Sequence, residues 1–157
     1  MSNAGRAGAA SSERIAELLG GLRELLALTE QLDALSKEQS SHVASSRGDA
    51  LVSVLSARQT LVEKASATRD RLAWALRDWE RTAAALDAEC RSGAEAMIRE
   101  IREHSAAVAA RDAEDSAALQ LARGGVGREL SAIARRGTAA RAYSGHGGGS
   151  VFHDREA

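Results

Sequence analysis

Leucine and isoleucine recur every three or four residues between Ser12 and Leu35. The set comprises Ile15, Leu18, Leu19, Leu22, Leu25, Leu26, Leu32 and Leu35. This spacing places the side chains on one face of a helix. Burying each Leu is worth about 1.5–3 kcal/mol, so another part of the chain or a partner must cover this face. The pattern predicts a first helix that is N-capped by Ser11 or Ser12 and ends by Arg47.

Gly20 and Gly21 interrupt this first stripe. A helical glycine costs up to about 1 kcal/mol relative to alanine. Two interpretations are open, a weak turn that the helix tolerates or the close approach of a neighbouring helix. Because intrinsic propensity is easily overridden by packing, the tolerated weak turn is the simpler interpretation.

A second apolar pattern follows Gly48 and Asp49, which read as a helix-ending glycine beside an N-capping aspartate. It comprises Leu51, Val54, Leu55, Leu61, Val62, Ala65, Leu72, Leu76, Trp79 and Leu86, with Arg58 and Thr68 as polar interruptions. The spacing is close to a seven-residue repeat. It predicts a second helix, antiparallel to the first, that continues to about Leu86. Trp74 and Trp79 are five residues apart, so we expect one ring in the core and the other partly exposed.

A turn at Ser92 and Gly93 is expected to precede a third stripe. Its members are Met97, Ile98, Ile101, Val108, Leu119, Leu121, Val126, Leu130 and Ile133. Alanines dominate the middle of this segment and favour helix strongly while burying little area. The third helix therefore presents a shallow apolar surface that can accept another helix. Gly124, Gly125 and Gly127 predict a weakened or kinked stretch there, a candidate hinge.

Composition supports an all-α fold. The 157 residues include no Pro and only 3% aromatics, with 44% hydrophobic residues overall, and sheets prefer a larger aromatic and β-branched content. We expect a long antiparallel helical hairpin plus a third long helix. The predicted organisation is a disordered leader over residues 1–11, one helical bundle over 12–137 and a flexible glycine-rich tail over 138–157.

Charge and cysteine content exclude several classes of partner. The formal net charge is −1 and the pI about 6.4, which offers no electrostatic support for binding nucleic acid or an anionic membrane. The single cysteine, Cys90, cannot form an internal disulfide. The first ten residues lack the apolar core of a signal peptide, and no run approaches the roughly 18 apolar residues of a membrane span. A cytoplasmic location is therefore expected.

Catalytic and metal chemistry find no support in the sequence. Glu100 and His104 are four residues apart, whereas carboxylate-bridged metal bundles use Glu and His three residues apart, twice over. Asp112 and Asp115 are expected to lie on a solvated helix face. Cys90 has no His nearby in sequence to activate it. We therefore expect an interaction protein without a metal or cofactor, and not an enzyme.

The chain resembles the flagellar export chaperones of the FlgN type, a group that includes FliT-like type III secretion chaperones. The resemblance rests on the Gly48-Asp49 turn between long helices, on Leu51, Leu55, Gln59 and Val62 after it, and on the tail. The tail features are Tyr143, the glycines from Gly145 to Gly149, and the run Phe152-His153-Asp154-Arg155. The resemblance extends from about Ile15 to Arg155. The glycines between Gly124 and Gly127 depart from it.

This resemblance implies a cytoplasmic chaperone that binds the C-terminal helical segments of hook-filament junction proteins, prevents their early assembly and delivers them to the flagellar type III export gate. The expected client-binding residues are Val108, Leu119, Leu121, Val126, Leu130 and Ile133. Tyr143 and Phe152 are expected to contact a second partner such as the export gate. The alternative is a structural coiled coil, in which the stripes pair with other copies of the chain and no client binds.

Overall fold

The structure is a computed structural model that describes residues 3–144, with side chains described for residues 11–139. It contains five helices, α1 (Asn3–Ala44), α2 (Gly48–Arg71), α3 (Ala73–Leu76), α4 (Trp79–Ala84) and α5 (Ala88–Ser144). No strand occurs among the described residues, so the all-α prediction is confirmed. The chain divides into two units between Ser116 and Ala117.

Two helix ends differ from the predicted boundaries. α1 begins at Asn3 instead of near Ser12, and α5 continues to Ser144 instead of ending by Gly137. Both extensions are rich in alanine, whose helix propensity is the highest of all residues. Met1, Ser2 and residues 145–157, which complete the predicted leader and tail, lie outside the described residues.

The turn between α1 and α2 is centred on Ser46, two residues before the predicted position at Gly48. Ser46 adopts a left-handed φ of 54°, and its N–H donates to the Val43 carbonyl at 3.2 Å. The Arg47 N–H donates to the His42 carbonyl at 3.0 Å. These two bonds form a Schellman motif around Ser46. Gly48 is the first residue of α2 and not the helix-ending glycine, so that detail of the prediction is wrong.

The predicted continuous helix to Leu86 is also wrong, because the chain bends at Leu72 and again near Asp78. Asp78 caps α4 by accepting the Arg81 N–H at 3.3 Å, and Asp87 precedes α5 and accepts the Cys90 N–H at 2.7 Å. Aspartate competes for backbone N–H groups in this way and starts new helices. Gly93 lies inside α5 and marks no turn.

The two bends fold apolar side chains over the leucines of α1. The buried cluster comprises Leu18, Leu22, Leu72, Ala75, Leu86 and Ala94. Trp79 is half-buried against it, whereas Trp74 is 44% exposed and lies beneath the Arg14 guanidinium, 5.5 Å from the ring centroid. The expectation of one packed and one exposed tryptophan is confirmed.

Gly21 packs tightly against this cluster. A Cβ atom at Gly21 would lie 2.6 Å from Cδ2 of Leu72, whose side chain is completely buried. A Cβ at Gly20 would meet nothing within 4 Å. Gly20 is therefore a weak turn that the helix tolerates. That interpretation is wrong for Gly21, where Leu72 approaches the backbone closely.

Side-chain pairs define the helix directions. Thr68 contacts Glu24 and Arg58 contacts Gln39, so α2 runs antiparallel to α1. Asp33 pairs with Arg111 and Gln39 pairs with Asp115, so this part of α5 runs parallel to α1. α5 also continues without a break through Gly124, Gly125 and Gly127.

Gly21→Ala and Gly20→Ala form a matched pair that tests this packing. Gly20→Ala should raise the free energy of unfolding by up to about 1 kcal/mol, because alanine favours helix over glycine. Gly21→Ala should lower it, because overpacking a filled core costs about 1–3 kcal/mol. Chemical denaturation followed by circular dichroism measures both values. An equal gain in both variants would contradict the close approach of Leu72.

Candidate functional site

The predicted client-binding residues lie on α5. Val108 is half-buried and belongs to the unit that ends at Ser116. The other five are large apolar side chains left in solvent, namely Leu119, Leu121, Val126, Leu130 and Ile133. Their exposed fractions range from 46% at Leu119 to 74% at Leu121. This exposure is what a surface for another protein requires.

Helical register separates Leu121 from the rest. Leu119, Val126 and Ile133 are seven residues apart, and Leu130 lies four residues after Val126. These four side chains therefore share one narrow line along α5, which we term the apolar seam. Leu121 follows Leu119 by two residues and points about 200° away from it. The six predicted residues do not form one face.

The predicted tail contacts are less well defined. Tyr143 lies in the last turn of α5, and its side chain is outside the described set. Phe152 lies outside the described residues.

A group of polar side chains occupies the interior between α1, α2 and α5, and we term it the polar layer. Its members are Asp33, Ser36, Gln39, Ser40, Arg58, His104, Arg111, Asp112 and Asp115. Among them Asp33, Ser36, Gln39 and Asp115 are buried. Buried polar groups of this kind are costly unless they are paired, and nearly every one here has a partner.

Asp33 is the centre of one half of the polar layer. Its carboxylate accepts from Arg111 at 2.7 Å and lies 3.0 Å from Nζ of Lys37 and 3.3 Å from Nδ1 of His104. Burial by itself raises the pKa of Asp33, but the hydrogen bond from Lys37 and the positive charge of Arg111 outweigh it. The net result is a pKa below the ordinary value of 3.8.

Arg58 is the centre of the other half. It donates two hydrogen bonds to Asp112, at 2.7 and 2.8 Å, and a third to the side-chain carbonyl of Gln39. Gln39 in turn donates to Asp115 at 2.7 Å, and the Ser40 hydroxyl donates to the same carboxylate at 3.0 Å.

The hydrogen bonds between Arg58 and Asp112 shift the pKa values of both side chains. The hydrogen bond from Arg58 lowers the pKa of Asp112 more than burial raises it. The same bond raises the pKa of Arg58. Both side chains are therefore charged across the neutral range, and the pair connects α2 to α5.

The expectation of a solvated helix face is wrong for Asp115 and only partly right for Asp112, whose side chain is 41% exposed. Asp115 is 7% exposed, and Asp112 is held by Arg58. The signal was present in the sequence, because Ser36 and Gln39 continue the three- and four-residue spacing of the α1 leucines. Polar residues at stripe positions indicate a buried network when each has a complementary partner on the facing helix.

The reactive side chains in the described part of the chain have structural partners. The Asp87 side chain accepts a hydrogen bond from the Cys90 thiol and raises the pKa of that thiol, which disfavours the thiolate. His104 faces Asp33 and not Glu100. Within residues 3–144 no group of three or more His, Cys, Asp or Glu is arranged to hold a metal ion.

A cleft of about 700 Å³ lies between the start of α1 and the α3–α4 segment. Arg14, Trp74 and Arg81 line its rim, and Leu18 and Leu86 form its floor. Its carboxylate, Asp78, already caps α4. The cleft therefore has an aromatic and cationic rim but no pairing of a nucleophile with a base among the residues that line it.

The comparisons with known proteins add no relative. No family model, curated protein or solved structure matches this chain. Among the described helices, none combines the length and apolar character that crossing a bilayer requires.

Asp112→Asn tests the polar layer through its pH dependence. The folded pKa of Asp112 is lowered from 3.8, so its stabilising contribution is complete well above that value and is lost as the pH falls through 3.8 and below. At pH 7 the substitution should lower the free energy of unfolding by about 1 kcal/mol, a modest figure because the Asp112 side chain is 41% exposed. In acid the difference from the unmodified chain should shrink.

Denaturant titrations at several pH values between neutral and strongly acidic measure this difference. Glu114→Gln is the control, since Glu114 is an exposed acid two residues away on the same helix, and it should change stability by less than about 0.5 kcal/mol. A constant, pH-independent deficit for Asp112→Asn would argue against the ion pair with Arg58.

Proposed function

We propose that this chain is an export chaperone of the FlgN type. It binds the C-terminal helical segments of hook-filament junction proteins in the cytoplasm, prevents their early assembly and delivers them to the flagellar type III export apparatus. The observation that carries the proposal is the apolar seam, four aliphatic side chains held in register over about four helical turns and exposed to solvent.

The seam suits a partner that must later be released. A client helix destined for a filament has an apolar face, and helix-against-helix packing covers that face through side chains three, four and seven residues apart. Four aliphatic residues without an aromatic anchor provide a modest contact area. This surface is therefore suited to reversible binding of a partner helix, without a catalytic step.

The tail supplies the proposed second contact. Tyr143 and Phe152 are the only Tyr and Phe of the chain, and aromatic side chains are the common anchors of protein interfaces. We assign them to the export gate, separate from the client surface on α5.

A second candidate function is a structural coiled coil. Leu119, Val126 and Ile133 repeat every seven residues, which is the spacing that pairs identical helices. In this case the seam is covered by another copy of the chain and no client is needed.

The double variant Leu119→Asp with Leu130→Asp tests client binding. Each buried Leu contributes about 1.5–3 kcal/mol, so the loss of both should weaken binding by about a hundredfold or more. The measurement is titration of the purified chain with a fluorescent C-terminal helical peptide of a hook-filament junction protein. Leu121→Asp is the control, because Leu121 is an exposed leucine on the same helix, more exposed than Leu119 or Leu130, but lies off the seam. Unchanged affinity in the double variant would remove the seam from the client site.

Oligomeric state separates the two candidates. A chaperone with an unoccupied client site should be monomeric by light scattering over a wide concentration range and should form a defined complex when the junction peptide is added. A stable oligomer that Leu119→Asp dissociates, and that ignores the peptide, would instead favour the coiled-coil scaffold.

A further inference from the structure

The charge of the chain is divided unequally between its two units. Residues 117–144 contain five Arg and one Glu, a net charge of +4, whereas residues 1–116 contain 15 basic and 19 acidic residues, a net charge of −4. The overall charge of −1 conceals this division. The segment of α5 that carries the apolar seam is therefore a basic amphipathic segment.

These arginines are free to meet a partner. Arg123, Arg128, Arg135 and Arg136 are all exposed. None of the four forms an ion pair with another described residue. Glu129 is the only carboxylate side chain between residues 117 and 144, so the positive charge of this segment is not neutralised locally.

Arg123 occupies a position within the line of the seam. It lies four residues after Leu119, three before Val126 and seven before Leu130, so the register places it where a heptad repeat has an apolar residue. A guanidinium that is covered by a partner must be paired, because an unpaired buried charge is strongly unfavourable. A helix that covers the seam must therefore present a carboxylate opposite Arg123.

A second copy of the chain is poorly suited to supply a carboxylate opposite Arg123. The same segment of a second copy brings five Arg and a single Glu, so pairing two seams places like charges along both flanks. Like-charge juxtaposition of this kind opposes association and suppresses the wrong partner.

A membrane or nucleic acid is also a poor match. Helices that lie on bilayers have a wide apolar face, often with Trp or Phe, whereas this seam is one residue wide and residues 117–139 include no aromatic side chain. Nucleic acid would neutralise the arginines through its phosphates but would leave four aliphatic side chains in water.

From this charge complementarity we infer that the apolar seam takes an acidic amphipathic helix of a partner protein, with an Asp or Glu of that helix paired to Arg123. The inference rests on the proposed function in treating the seam as a helix-binding site, and it specifies the chemistry of the partner. Carboxylates flanking the apolar residues of the partner set its orientation and its selectivity over a second copy of this chain.

The test uses two synthetic four-heptad peptides that share Leu and Val at the apolar positions and differ only in flanking residues, Glu in one and Lys in the other. The full-length chain should bind the Glu peptide at least tenfold more tightly at low salt, about 50 mM, and the advantage should shrink at about 500 mM, where charges are screened. Fluorescence anisotropy measures both affinities.

Two charge reversals locate the contact. Arg123→Glu should weaken binding of the Glu peptide about tenfold or more and improve binding of the Lys peptide. Arg128→Glu makes the same change of charge about 180° away from the seam and should change either affinity less than threefold. Circular dichroism confirms that both variants retain their helix content. Equal losses in the two variants would indicate attraction without a specific pair and would overturn the inference.

Three further results would overturn it. One is a dimer of the chain at low salt that Leu119→Asp dissociates. Another is binding to vesicles of equal phosphatidylglycerol and phosphatidylcholine in the absence of peptide binding. The third is equal affinity for the Glu and Lys peptides.

Titration of the two reversals with the junction peptide separates this inference from the proposed function. Junction-peptide binding that Arg123→Glu and Arg128→Glu affect equally would leave the function standing and remove the Arg123 contact. Binding of the Glu peptide alone, lost in Arg123→Glu, would support the contact and count against the junction protein as client.

Discussion

Leu72 packed over Gly21 is the contact on which the rest of the structure depends. A Cβ at Gly21 would lie 2.6 Å from Leu72, so only glycine lets the chain approach α1 this closely. Leu72 can occupy that place because α2 ends at Arg71 and the next two helices are short. The bends bring Leu86 and Ala94 onto the same leucines of α1, and α5 begins from there. A straight second helix would have left the leucines of α1 without this cover.

The polar layer determines how α5 is aligned once it has started. An apolar stripe alone tolerates a slip of one turn, because one Leu can replace another at little cost. Arg58 on Asp112 and Arg111 on Asp33 do not tolerate such a slip, since it would leave the largely buried Arg58 and Asp33 side chains, 13% and 10% exposed, without their partners. Leucines thus supply most of the burial near the start of α1, and ion pairs supply the register further along.

The sequence predicted the helical class and the burial of the α1 leucines from apolar spacing, and it predicted antiparallel α1 and α2 from the break between their two stripes. Predictions of helix boundaries and of buried polar residues were wrong where one residue type is compatible with two structural roles. Asp78 and Asp87 each accept a backbone N–H at the start of a new helix, which apolar spacing does not indicate. Ser92-Gly93 predicts a turn, but α5 continues through it. Asp112 and Asp115 are expected in solvent when each is judged by residue type alone. Their helical spacing matched the core, and only the facing helix shows which polar residues have partners.

The side-chain pattern of α5 changes after Asp115. Up to that residue, the positions at core spacing are filled by side chains with partners on α1 or α2. From Leu119 onward the spacing continues with aliphatic residues, yet these are exposed and the local charge changes sign from negative to positive. A sequence under selection only for solubility has no reason to keep apolar side chains at heptad spacing in water, nor to place an arginine among them. In the proposed complex, the apolar periodicity sets the shape of the partner helix, and the excess of arginine sets its charge.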